Sequence, residues 1–259
     1  MRKDIKLIAV IPAHLASVRL KRKVLIKLFG LPMIEHVRRR VVNSNIFDEV
    51  IVASGDDEIL NIVKSNGGST IKTFKNHKNG TSRVAESIKD FNYSHVMIVQ
   101  GDEPLVKKEH LYKMSQEIEK NPLIDAWNSI CKIKDPSDLE SRNIVKASIN
   151  NFGRIIYLFR KTPSFANAKD QIKYIKKVQG LIAFRKEVLN EISLLPTSLP
   201  EITESIEQLR IISNGFYLQG VIQDDQVPSI NEKEDLNKFH RYLEENKIQN
   251  LITQNIINE

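Results

Sequence analysis

The sequence predicts an α/β fold: a doubly wound, mostly parallel sheet in the first half and a smaller, mixed α+β second half. Three observations carry this. Apolar runs alternate with segments of helical period from residue 6 to about residue 100. Helix start and stop signals fall between them. The alternation then gives way, near residues 125–135, to hairpin and mixed patterns.

"KLIAVIPA" (6–13), "EVIVAS" (49–54), "STIKTF" (69–74) and "HVMIVQ" (95–100) predict strands. "PMIEHVRRRVVNS" (32–44), "DDEILNIVKSN" (56–66) and "TSRVAESIKDF" (81–91) predict helices. Pro32 suits a first helical turn and "NGG" at 66–68 a helix stop. In the second half, "NIVKASINNFGRIIYLFR" (143–160) predicts a hairpin about "NNFG". A strand at "VQGLIAF", helices near "KEVLNEIS" and "TESIEQLRIIS", a strand at "FYLQGVIQD" and a helix at "EKEDLNKFHRYLEEN" follow. The tail "NLITQNIINE" reads as marginal. The expected division is 1–130 and 131–259, two parts sharing the same core.

Composition narrows the function classes. The net charge of +7 admits an acidic partner, but the lysines are scattered and aromatic residues make up only 7%. No basic stripe is interleaved with stacking rings, which argues against nucleic acid. The apolar run near the N-terminus is too short for a membrane span or signal peptide, so a cytoplasmic location is expected. The single Cys131 supplies neither a disulfide nor a metal spacing and reads as a buried small apolar residue.

Ligands of parallel sheets sit at the carboxyl ends of the strands, so the loops there are the place to look. The first, "PAHLASVRLKRK", combines small residues such as Ala13 and Ser17, which let backbone N–H groups approach a ligand, with Arg19 and Lys23. Such a loop can wrap a triphosphate. It is not a P-loop, because the "GxxxxGK[ST]" pattern is absent. After the second strand comes "SGDDE", and after the third "KNHKNGTSR". The fourth is followed by "QGDEPLV", where Asp102 is an expected oxygen ligand for Mg²⁺ on a nucleotide. Asp102 reads equally well as the cap of a helix beginning near Val106.

"IPAHLASVRLKRKVL", "LPMIEHVRRR", "HKNGTSRVAE", "VQGDEPLV", "IVKASINNFGRIIYLFR", "GLIAFR", "ESIEQLR" and "EDLNKF" occur in the order and approximate spacing of one family. Over residues 6 to about 240 the chain resembles the CMP-Kdo synthetases, the 3-deoxy-manno-octulosonate cytidylyltransferases. The resemblance implies a fold of the nucleotide-diphospho-sugar transferase type, with 1–130 as the nucleotide-binding part and 131–259 as the sugar-binding and dimerisation part. It also implies transfer of CMP from CTP to a 3-deoxy-2-ulosonic acid, with Mg²⁺, a homodimer and a place in lipopolysaccharide or surface-glycan synthesis. Arg19 and Lys23 match the triphosphate cations; with Asp102 they are the expected catalytic residues. Ala13, Ser17, Asn79, Gly80, Thr81 and Arg83 would hold the nucleotide. Gln100, Arg160, Glu207 and Gln208 would hold the sugar, and Asp102 with Asn231 the metal.

The chain also departs from the family pattern. His14 stands where the family has arginine, Val18 where it has a hydroxyl residue, and Lys21-Arg22 where it has Pro-Gly. Asn231, in "NEKEDL", replaces the second metal-binding aspartate, so Mg²⁺ affinity should fall. Val178 and Ile182 replace a histidine and a tyrosine of the sugar pocket. A changed acceptor is therefore expected, such as an 8-amino relative of Kdo. An acylneuraminate-type acceptor, or a degenerate homologue that binds nucleotide without turnover, are the alternatives.

Overall fold

The computed structural model describes residues 5–74 and 76–259. Lys75, which opens the "KNHKNGTSR" loop, lies outside them. The chain divides into two compact units. One holds the chain through Tyr112 together with Val227–Glu259, and the other holds Lys113–Gln226. This differs from the expected cut at 130, because the last 33 or so residues return to the first unit instead of staying with the second half.

The first unit contains β1 (Leu7–Ala13), a short hairpin of β2 (Lys27–Leu28) and β3 (Leu31–Pro32), α1 (Met33–Asn43), β4 (Glu49–Ser54), α2 (Asp57–Ser65), β5 (Ser69–Lys72), α3 (Gly80–Ser87) and β6 (His95–Val99). β1 is buried along its whole length, as a central parallel strand with both faces covered must be. It pairs in parallel with β4 on one side and β6 on the other, and β4 pairs in parallel with β5. The chain thus steps outward from β1 through β4 to β5, then returns to the opposite side of β1. That reversal opens a crevice at the carboxyl ends of β1 and β6, the switch point where such sheets bind ligands.

The end of the chain closes this unit. α9 (Asp235–Glu245) contributes Phe239 and Leu243 to a core cluster with Leu28, Met33, Leu105, Val227 and Ile230. The tail read as marginal forms α10 (Lys247–Asn258). Its buried residues are Gln249, Thr253 and Ile256, and arginines of α1 hold it: Arg39 donates to the Ile256 carbonyl at 2.7 Å, and Arg40 to Gln249 Oε1 at 2.9 Å and Thr253 Oγ1 at 2.6 Å. An apolar-periodicity reading misses a helix docked through hydrogen bonds to buried guanidinium groups.

α4 (Lys108–Lys120) carries the chain into the second unit. There lie β7 (Ala126–Lys132), β8 (Lys146–Ile149), β9 (Ile155–Phe159), α5 (Ala168–Tyr174), β10 (Ile175–Arg185), α6 (Lys186–Leu194), α7 (Leu199–Glu204), α8 (Leu209–Ser213) and β11 (Leu218–Gln223). β8 and β9 form the expected hairpin about "NNFG". β10 pairs antiparallel with β7 and β8, while β11 pairs in parallel with β7, giving the expected mixed sheet. β7, carrying the buried Cys131, was not foreseen; the cysteine is small and apolar in effect, its thiol pushed up to about 11 by burial. The single helix expected near "TESIEQLRIIS" is broken, because Ser205 takes a left-handed conformation at φ 53° between α7 and α8. Glu207 and Gln208 consequently lie in the turn entering α8.

Candidate active site

The crevice in the first unit is a cleft of about 420 Å³, walled by four loops. The β1 loop supplies Ala13, His14, Ser17 and Lys23. Asp56 follows β4, Asn76 to Gly80 with Arg83 follow β5, and Gln100 to Asp102 follow β6. Glycine permits the close approach of these loops. A side-chain carbon on Gly101 would come within 3.2 Å of the Pro12 carbonyl oxygen, and one on Gly80 within 3.2 Å of the Pro12 ring.

At the floor, the Lys23 ammonium donates to Asp102 Oδ2 at 2.6 Å and to Asn231 Oδ1 at 3.1 Å. Asp102 therefore meets a cation at the cleft. Asn231 reaches the same point because the Ile230 N–H donates to the Asp102 carbonyl at 3.0 Å. Asp235 Oδ2 then accepts from the backbone N–H of Asn231 and Glu232, fixing the turn. Burial first, and the neighbouring Asp102 charge second, push the Glu103 carboxyl up to about 8, with Lys23 opposing. Burial thus favours the uncharged form of Glu103, and it is Asp102 that faces Lys23.

The β1 loop is tied down by Asp56, whose Oδ2 accepts the Leu15 N–H at 2.9 Å. Crowding around the His14 ring, then the charges of Arg83 and Lys23, hold this histidine below its ordinary 6.5, against Asp56 and Asp102. His14 keeps an exposed edge but is neutral at pH 7. Arg22 adopts φ 55° and ψ 31°, the left-handed conformation that its glycine counterpart would take freely. Its guanidinium turns to an ion pair with Glu58 of α2 instead of the cleft. Arg19 is exposed and outside the cleft lining, so of the two expected triphosphate cations only Lys23 is brought in.

α3 begins at the cleft, where Asn79 and Gly80 line the wall. Asn79 caps the helix, Oδ1 accepting the Ser82 N–H at 2.9 Å. Such a start favours an anion. Thr81 is buried behind the wall, and Arg83 donates to Thr73 Oγ1 at 2.6 Å and the Phe74 carbonyl at 3.1 Å.

The remaining expected sugar residues belong to the second unit. Arg160 is engaged with backbone carbonyls: Nε donates to Glu204, Nη1 to Arg142 and Nη2 to Ser205, at 3.2, 3.1 and 2.9 Å. That pins the β9 end to the α7–α8 turn, where Glu207 and Gln208 are half-buried. Val178 and Ile182 flank an irregularity in the β10–β7 pairing, bridged by Asn128, whose amide donates to the Gln179 and Leu181 carbonyls.

The four loops singled out in the sequence meet at this cleft, where Asp56, Asn76, His77 and Lys78, not named as candidates, also line the wall. The signal was present in "SGDDE" and "KNHKNGTSR". Contacts such as His77 with Ser82 and Glu86, or Asp56 with the Leu15 N–H, join residues of different loops and elements, and these are not periodic.

The comparisons with known proteins agree with this geometry. A sequence model of the cytidylyltransferase family matches residues 8–230. The chain is 33% identical over 245 residues to the 3-deoxy-manno-octulosonate cytidylyltransferase of Fusobacterium nucleatum, covering 94% of this chain and 99% of that protein. It is 32% identical to the protein of the same name from Cytophaga hutchinsonii, covering 91% and 97%. A solved structure of CMP:2-keto-3-deoxy-manno-octonic acid synthetase complexed with CTP superimposes with a TM-score of 0.86 at 29% identity, covering 96% of this chain and 99% of that one. A 4-diphosphocytidyl-2C-methyl-D-erythritol synthase from Anaerococcus prevotii, at 17% identity and a TM-score of 0.62, shares the fold alone.

Proposed function

The chain belongs to the cytidylyltransferase family, and on that premise we propose that it transfers CMP from CTP to a 3-deoxy-2-ulosonic acid, Kdo or a modified Kdo. The observation that carries this reading is the meeting of Lys23 and Asp102 at the switch point of the sheet, beside the start of α3. The anomeric hydroxyl oxygen of the acid attacks the α-phosphorus and its proton passes to water. The bond from that phosphorus to the bridging oxygen breaks, and pyrophosphate leaves.

No covalent enzyme intermediate is needed, so the protein's work is positioning and charge neutralisation. Lys23 supplies the cation of the β1 loop. The N–H groups opening α3 and the small Ala13 and Ser17 let backbone approach the phosphates. Two oxygens of different loops, from Asp102 and Asn231, converge on one positive group, and this donor set suits a hard divalent cation. Mg²⁺ would be held by these two residues and, when bound, would neutralise charge on the polyphosphate.

The replaced pocket positions Val178 and Ile182 support an acceptor that offers fewer hydroxyl contacts than Kdo, such as an 8-amino relative. No described helix is long and apolar enough to cross a membrane, which accords with a cytoplasmic enzyme feeding lipopolysaccharide or surface-glycan synthesis. A homodimer follows from the family resemblance.

Thermal stabilisation by CTP against ATP, GTP and UTP tests the nucleotide. Pyrophosphate release with a panel of ulosonic and neuraminic acids tests the acceptor. Stabilisation by CTP without release from any acid would replace this reading with nucleotide binding alone.

A further inference from the structure

The β5–α3 loop holds a polar relay that the proposed chemistry leaves unused. His77 lines the cleft. Its ring lies between two side chains of α3, with Nδ1 3.1 Å from Ser82 Oγ and Nε2 2.5 Å from Glu86 Oε2. Both partners are engaged elsewhere. The Ser82 hydroxyl is 3.1 Å from the Asn79 carbonyl oxygen, and the Glu86 carboxylate accepts the Phe74 N–H at 3.0 Å.

Carbonyl and carboxylate oxygens only accept. The Ser82 hydroxyl therefore donates to Asn79 and the Phe74 N–H to Glu86, while the His77 ring bridges the two α3 side chains.

We propose that His77 is a positioning residue for the nucleotide: stapled between Ser82 and Glu86, it fixes the 76–80 wall of the cleft against α3. The inference deepens the proposed function and rests on CTP being the ligand. Glu86 also anchors the Phe74 N–H, and Arg83 binds Thr73 and the Phe74 carbonyl, so the loop is held where it leaves β5, while Asn79 caps α3 at its other end. The 76–80 wall and the start of α3 are thereby presented to the ligand together, which favours binding without altering the reacting atoms.

The test uses the full-length protein. In ligand-free enzyme, amide hydrogen exchange over residues 76–80 should be faster in His77→Gln than in the wild type. In steady state, His77→Gln should raise KM for CTP about tenfold with kcat within about twofold, the pattern of lost uniform binding. Ser82→Ala should raise KM about threefold by the same criterion, and it carries the kinetic test if His77→Gln does not fold. Unchanged exchange over 76–80, or a folded variant with unchanged KM, overturns the proposal. If CTP fails to stabilise the wild type above the other triphosphates, the functional reading falls, whereas the anchoring of the wall is still decided by the exchange.

Discussion

The Lys23 ammonium donates to the amide oxygen of Asn231 at 3.1 Å, joining the β1 loop to a residue 208 positions further along the chain. The same ammonium meets Asp102 at 2.6 Å. One cation thus faces one carboxylate and one neutral amide, so the trio carries no net charge. A second carboxylate in place of Asn231 would leave it negative and more attractive to a divalent ion. Asn231→Asp should lower the Mg²⁺ concentration giving half-maximal activity about tenfold, or about 1.4 kcal/mol. An unchanged Mg²⁺ titration would remove Asn231 from the metal site.

His14 offers a pH-dependent handle on the same cleft. Burial and the charges of Arg83 and Lys23 hold it below 6.5, so it is neutral at pH 7 and gains its charge only as pH falls through that lowered value. Added positive charge favours a polyanion, so His14 strengthens CTP binding in acid and contributes no charge above 6.5. His14→Arg makes the charge permanent. CTP affinity at pH 8 should rise about fivefold, with a smaller gain at pH 5.5, when isothermal titrations of the two proteins are compared. Equal gains at both pH values would mean that His14 does not titrate against the ligand.

Arg22 tests the backbone. Its φ of 55° strains any residue with a side-chain carbon, while its ion pair with Glu58 is exposed and contributes little. Arg22→Ala and Arg22→Gly both remove the ion pair, so their difference isolates the conformation. The glycine variant should be the more stable by about 1 kcal/mol in denaturant unfolding. Equal stability would show that the loop relaxes out of the left-handed conformation.

Thr253 tests the docking of α10. It is fully buried, and its hydroxyl accepts from Arg40 at 2.6 Å and donates to the Gln249 carbonyl at 2.7 Å. Thr253→Val keeps the shape and strands a guanidinium N–H, at a cost of about 2 kcal/mol in unfolding free energy. A loss under about 0.5 kcal/mol would mean that apolar contacts, rather than these bonds, hold the helix.

Much of this molecule was legible from local pattern. β4 was read to the residue, β1, β5 and β6 to within two, and the hairpin of β8 and β9 from "NNFG". Each such element has a periodic or turn-forming signal that neighbouring residues alone create. α10 was lost because two of its three buried residues, Gln249 and Thr253, are polar, and β7 because "AWNSICK" is buried from Ala126 to Cys131 and so has no alternation. The turn at Ser205 was lost because a left-handed serine has no strong local mark.

The sequence by itself determined the parallel β/α framework, the loops that could bind an anion, and the family resemblance, because chain-local periodicity and ordered motifs encode them. Tertiary structure decided which of the cations serve the cleft. Lys23 is turned inward by Asp102 and Asn231, Arg22 outward by Glu58, and Arg19 is left exposed. All three lie within five consecutive positions and carry the same charge. What separates them is the set of acceptors that distant segments bring within hydrogen-bond reach, and only the folded chain supplies those distances.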